Sequence, residues 1–153
     1  MKTDTPRPRR LKDYRPPDYL VDHVDLDFAL DPERTIVQAK LKVRRNPAAG
    51  KTRQALVLDG EQLELERIAI DGKELAADDY AVDAASLRVA KVPARPFTLE
   101  LTTVINPEAN KALQGLYRSR GVFCTQCEAE GFRRITFFPD RPDVLAMYTC
   151  RIE

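Results

Sequence analysis

The run Cys124-Thr-Gln-Cys-Glu-Ala-Glu-Gly-Phe-Arg133 gathers two thiols, an amide, two carboxylates and an arginine into one short stretch of chain. It has little helical period, so its polar groups have no obvious role in a core, and it asks for a ligand. Residue type suggests three chemistries: acceptance of a cationic amine, ligation of a metal, and thiol reactivity.

Amine binding rests on Gln126 and Glu128. In an extended segment, side chains two positions apart project to the same side, roughly 6 to 7 Å apart. Thr125, Cys127 and Ala129 then face the other way. A carboxylate beside an amide oxygen forms an acceptor pair for an ammonium, and a charge-assisted hydrogen bond of that kind contributes on the order of 1.5 to 3 kcal/mol. Glu130 falls on the same alternation and would add negative potential. The plain alternative is a set of solvated acids in a loop.

Metal and thiol chemistry have thinner support. A structural zinc takes four ligands, commonly two Cys pairs or a Cys pair with two His. Beyond Cys124 and Cys127 this chain offers only Cys150 and a single histidine, His23. A thioredoxin-like Cys-x-x-Cys needs a strand-to-helix setting that the surrounding pattern does not supply. Buried or half-buried free thiols are the simpler reading. His23 lies among Asp25 and Asp27 on the polar side of a strand pattern, without a partner nucleophile, and reads as a solvated surface residue. The Arg7 to Arg15 cluster reads as a solvated tail.

The elements that must carry these residues are strands. From Tyr19, the residues Val24, Leu26, Phe28 and Leu30 alternate with polar neighbours, and after a turn at Asp31-Pro-Glu-Arg34 so do Val37, Ala39, Leu41 and Val43. This predicts a hairpin. Shorter strand patterns follow at Ala55–Leu58, Leu63 to Ile70 with an Asp71-Gly72 turn, Tyr80–Val82, Ser86–Val89, Phe97–Ile105 and Ala146–Glu153. The expected fold class is all-β, a sandwich or saddle-like curved sheet, with a short helical or loop insert near 106–116. Residues 1–15 form a flexible or strapping tail and 16–153 one domain, expected to be truncated within its last strands.

Composition narrows the partners. The 153 residues suffice for one domain, and 25 basic against 24 acidic residues give no field that favours nucleic acid. No apolar run reaches the roughly 18 to 20 residues of a membrane helix, and the Pro- and Arg-rich start lacks the apolar stretch of a secretory signal. With an odd set of three cysteines, the expectation is a cytoplasmic protein in a reducing compartment, engaging neither membrane nor nucleic acid.

Gly115-Leu-Tyr-Arg-Ser119, the run Cys124 to Thr136, and Asp140-Arg-Pro-Asp-Val-Leu-Ala146 together resemble the N-terminal domain of bacterial aminopeptidase N, a zinc metallopeptidase of the gluzincin type. Tyr14-Arg-Pro-Pro-Asp-Tyr19 is similar to the start of that domain. The resemblance implies a β-rich saddle packed on a catalytic domain, with Gln126 and Glu128 reaching into the active site. There they would hold the free α-amino group of a peptide substrate and place only its first peptide bond over the metal. The parent enzyme would carry zinc and hydrolyse N-terminal residues from peptides. This chain departs from the complete pattern: with one histidine it cannot contain the H-E-x-x-H zinc motif, and the Gly-Ala-Met-Glu-Asn exopeptidase motif is also missing. It is therefore expected to contribute substrate binding but no catalytic residue and no metal ligand, to lack the catalytic domain, and to be inactive alone. Two alternatives remain: a stand-alone β-sandwich binding module with an acidic loop, and a thiol or metal protein using Cys124, Cys127 and Cys150.

Overall fold

The computed structural model describes residues 10–50 and 54–153. Alternation sends every second side chain to one face of a strand, and the two longest alternating runs form the two longest strands, β1 (Tyr19–Ala29) and β2 (Thr35–Arg45). They pair antiparallel, with a register shift between Val21 and His23. Val24, Leu26 and Phe28 of β1 and Val37, Ala39, Leu41 and Val43 of β2 are all buried, as the pattern predicts. Asp31 shapes the turn between them by accepting the backbone N–H groups of Glu33 and Arg34 at 2.9 and 2.8 Å.

The shorter patterns give β3 (Leu56–Asp59), β4 (Glu64–Ile70), β5 (Lys73–Glu74), β6 (Tyr80–Val82), β7 (Ser86–Val89) and β8 (Phe97–Ile105). Asp71 and Gly72, at φ +50° and +81°, form the two-residue hairpin connection between β4 and β5 that their types predict. A hairpin of β9 (Gly115–Ser119) and β10 (Val122–Gln126) and a final strand β11 (Met147–Ile152) complete the chain. The large sheet has the order β11-β1-β2-β8-β4-β5, β3-β7-β6 form a second sheet, and β9-β10 stand as a separate ribbon. One apolar cluster draws on both larger sheets, with Leu41, Leu99 and Leu101 from the first and Leu56, Leu58 and Leu87 from the second. Two sheets sharing one core make the all-β sandwich expected from the pattern.

Three expectations take definite form. The 106–116 insert is a loop of turns without a helix, and its last two residues already belong to β9. Asn110 organises it by donating from Nδ2 to the carbonyls of Gln114 and Leu116 at 2.7 and 2.9 Å. The tail assigned to 1–15 lies largely outside the described residues. Its described end is strapped down, with Tyr14 donating its hydroxyl to Asp143 at 3.0 Å and Arg141 Nη2 donating to the Arg15 carbonyl at 2.9 Å. The last strand pairs parallel to β1, and all six of its residues are exposed.

Candidate functional site

The β9-β10 ribbon holds the acidic run. Arg120 and Gly121, at φ +50° and +84°, turn β9 back into β10, and Gln126, the last residue of β10, pairs with Gly115. Beyond Gln126 the extended conformation stops. Gly131 donates its backbone N–H to the Cys127 carbonyl at 2.9 Å, closing a tight turn over residues 127–131 in which the Glu128–Ala129 peptide bond is cis. A short 3-10 segment, Phe132–Arg134, follows and leads into buried Ile135, Thr136, Phe137 and Phe138. The apolar residues after the turn anchor it, and the polar ones are left on its outside.

Gln126 and Glu128 are both exposed while Cys127 between them is half-buried. The amide Nε2 of Gln126 donates to the Glu128 backbone carbonyl at 3.2 Å, which couples the two residues and leaves Oε1 to accept. Among the described residues, no side chain pairs with the Glu128 carboxylate. The alternation expected to continue to Glu130 does not, because the turn ends the strand: Glu130 Oε2 instead lies 3.5 Å from Arg133 Nη2. All three side chains are exposed, but Glu130 faces an arginine, which leaves Gln126 and Glu128 as the acceptor pair of the site.

Arg133 organises the far side of the turn. Its backbone N–H and its Nε both donate to Asp140 Oδ2, at 3.1 and 3.0 Å, and its Nη2 donates to the Asp140 carbonyl at 3.1 Å. Asp140 is itself tied to β3, donating its N–H to Asp59 Oδ2 at 2.9 Å. Arg134 reaches the neighbouring loop, donating to Gln62 Oε1 at 2.5 Å and Glu61 Oε2 at 2.7 Å. Beneath the turn, Phe132 meets Phe138 and Tyr148 edge-on at centroid distances of 5.1 and 5.7 Å. The sequence reading missed these supports. Their signal is the Gly131 and paired arginines directly after the acids, with Asp140 a few residues on.

The other candidates do not converge. His23 is half-buried rather than freely solvated, because β11 lies beside it: its Nε2 is 2.9 Å from Asp25 Oδ1 and 3.1 Å from Thr149 Oγ1. Cys124 and Cys127 are half-buried free thiols and Cys150 is exposed. Burial pushes the Cys127 thiol up from its ordinary pKa, and the negative charge of Asp140 adds to the shift. Among the described residues, no three His, Cys, Asp or Glu side chains come together as metal ligands. The described donors do not fit a zinc site, because Cys124 and Cys127 have no third ligand gathered beside them.

Comparisons with known proteins bear on the family and the fold. The model of the peptidase M1 N-terminal domain matches residues 20–153. The chain is 54% identical over its whole length to aminopeptidase N of Caulobacter vibrioides, of which it spans 17%, and 42% identical over 98% of its length to aminopeptidase N of Escherichia coli, again spanning 17%. Among solved structures, the aminopeptidase A of Legionella pneumophila, crystallised with aspartic acid, superposes with a TM-score of 0.85 at 35% identity, covering 94% of this chain and 17% of that one. An M1 zinc metallopeptidase of Deinococcus radiodurans has the same fold at 20% identity, with a TM-score of 0.70 over 88% of this chain and 32% of that one. The matched span takes in both sheets and the ribbon, and the chain belongs to the peptidase M1 N-terminal domain family.

Proposed function

We propose that this chain is the amine-recognition domain of a zinc aminopeptidase that removes N-terminal residues from peptides, with Gln126 and Glu128 binding the free α-ammonium of the substrate. The observation that carries this reading is the exposed Glu128 carboxylate, unpaired among the described residues, beside an amide whose nitrogen is committed to the backbone and whose oxygen is left to accept. Names of the relatives support the reaction class. An ammonium carries three donors, and two acceptor side chains on one turn can take two of them while the peptide extends away. Because the acceptors are fixed on a closed turn, they set where the amine sits, and the substrate's covalent geometry then places its first peptide bond. A blocked amino terminus offers no charge and fewer donors.

The chemistry of bond cleavage belongs to the remainder of the polypeptide, which is the partner of this domain. Zinc would be held there, since among the described residues no donors of this chain gather into a site, and the 153 residues alone should be inactive. The set of free cysteines supports a reducing, cytoplasmic setting.

The test is Glu128→Ala in the full-length enzyme, assayed with an aminoacyl p-nitroanilide. Loss of a charge-assisted hydrogen bond worth about 1.5 to 3 kcal/mol should raise KM by about 10- to 150-fold. An accompanying fall in kcat is expected only where the substrate slips in register. Unchanged kinetics would leave Glu128 a solvated acid.

A further inference from the structure

We propose that Gly131 and Arg133 are positioning residues of the amine site, the first by allowing the turn that carries Glu128 to seat on the β9-β10 ribbon and the second by pinning its far end. This rests on the amine-binding reading and deepens it.

The case for Gly131 is one of space. Its backbone lies at φ −89° and ψ −16°, a conformation open to any L-residue. Yet a Cβ built there would stand 2.4 Å from the Gln126 carbonyl oxygen, 3.0 Å from Cys127 Cα and 3.1 Å from Gly115 N. All three are backbone atoms, so no side chain can swing aside to make room. The only relief is to move the turn relative to the ribbon, and the atoms displaced belong to Gln126 and to the neighbour of Glu128. Gly115, the ladder partner of Gln126, completes the contact from the other side: a Cβ there would meet the Gly131 carbonyl oxygen at 3.1 Å and Arg134 Cβ at 2.7 Å. Two glycines facing each other let the ribbon and the turn approach at backbone distance.

Arg133 fixes the other end. Its side chain is 16% exposed, and its three hydrogen bonds to Asp140 connect the turn through Asp59 to β3. The turn is thereby held at both ends while the residue between them, Glu128, stays open to a ligand. A lysine at 133 would keep the charge but not the forked grip. A binding group needs placement within about 0.5 Å to hold a substrate in productive register.

The test is a pair of mutant cycles in the full-length enzyme with an aminoacyl p-nitroanilide, using Gly131→Ala and Arg133→Lys, each in the parent and in the Glu128→Ala background. A shift of the turn by about 1 Å should raise KM about tenfold for Gly131→Ala and about threefold for Arg133→Lys, with kcat within about twofold. In the Glu128→Ala background the further change should fall below about twofold, because the group being positioned is gone. Folded variants with unchanged KM, or with the same increase in both backgrounds, would overturn the proposal. Should Gly131→Ala fail to fold, the Arg133→Lys cycle decides by the same criteria. If Glu128→Ala is itself silent, the amine reading and this inference fall together; if it raises KM while both positioning variants are silent, only this inference falls.

Discussion

Glu128 and Glu130 stand two residues apart on one turn, and they have different fates: Glu130 Oε2 faces Arg133 Nη2 at 3.5 Å, while Glu128 has no such arginine among the described residues. A tight turn and a single guanidinium therefore separate two acids that the local sequence makes look equivalent.

Their substitutions should differ accordingly. Glu128→Gln, which keeps the shape and removes the charge, should raise KM for a free-amine substrate about tenfold, whereas Glu130→Gln should change it by less than about twofold. Steady-state kinetics of both variants in the full-length enzyme check this. Equal effects would mean that the turn acts as a diffuse negative patch rather than through one acceptor.

Thiol reactivity should follow exposure and thiolate character. Cys150 is exposed on β11, while burial first, and then Asp140, pushes the Cys127 pKa upward. Since the thiolate is the nucleophile, iodoacetamide at mildly alkaline pH should modify Cys150 first and Cys127 last. Peptide mass mapping over a time course reads the order, and rapid labelling of Cys127 would revive a thiol-based role.

Gly60 should tolerate no side chain. A Cβ there would lie 2.2 Å from Cδ1 and 2.3 Å from Cε1 of Phe137, a residue only 1% exposed. Gly60→Ala should destabilise the chain by about 1 to 3 kcal/mol through overpacking. Urea unfolding would show a lower midpoint at unchanged slope.

The strap at Asp143 should respond to acid. A hydrogen bond from Arg141 holds the Asp143 carboxyl below its ordinary value of 3.8; burial opposes this, and the Tyr14 hydroxyl adds to the lowering. A depressed folded-state pKa means that the stabilisation is complete above the unfolded value and is lost as pH falls through the folded one. Asp143→Asn should therefore lower the melting temperature by less than about 4 °C at neutral pH, a loss of less than about 1 kcal/mol. The gap to the parent should hold down to roughly pH 4 and close below it. A gap that widens with acid would reverse the assigned sign.

Much of the fold was legible because half-buried strands write their burial into a period of two. Val24, Leu26 and Phe28 alternate with His23, Asp25 and Asp27, and Asp71-Gly72 supplies the positive φ angles of a hairpin turn. The types and spacing of Gln126 and Glu128 likewise point to an amine acceptor, and the same run carries the family resemblance. Tertiary structure alone decided the rest. Local pattern could not show that β11 returns parallel to β1, since the strand is exposed throughout and that pairing joins residues more than a hundred positions apart. Nor could it show that extension ends at Gln126, that Glu130 is turned to Arg133, or that Gly131 sits against the Gln126 carbonyl. Periodicity reports which side chains meet water; which acid remains open to a guest depends on contacts between separate segments, and these exist only once the chain has folded.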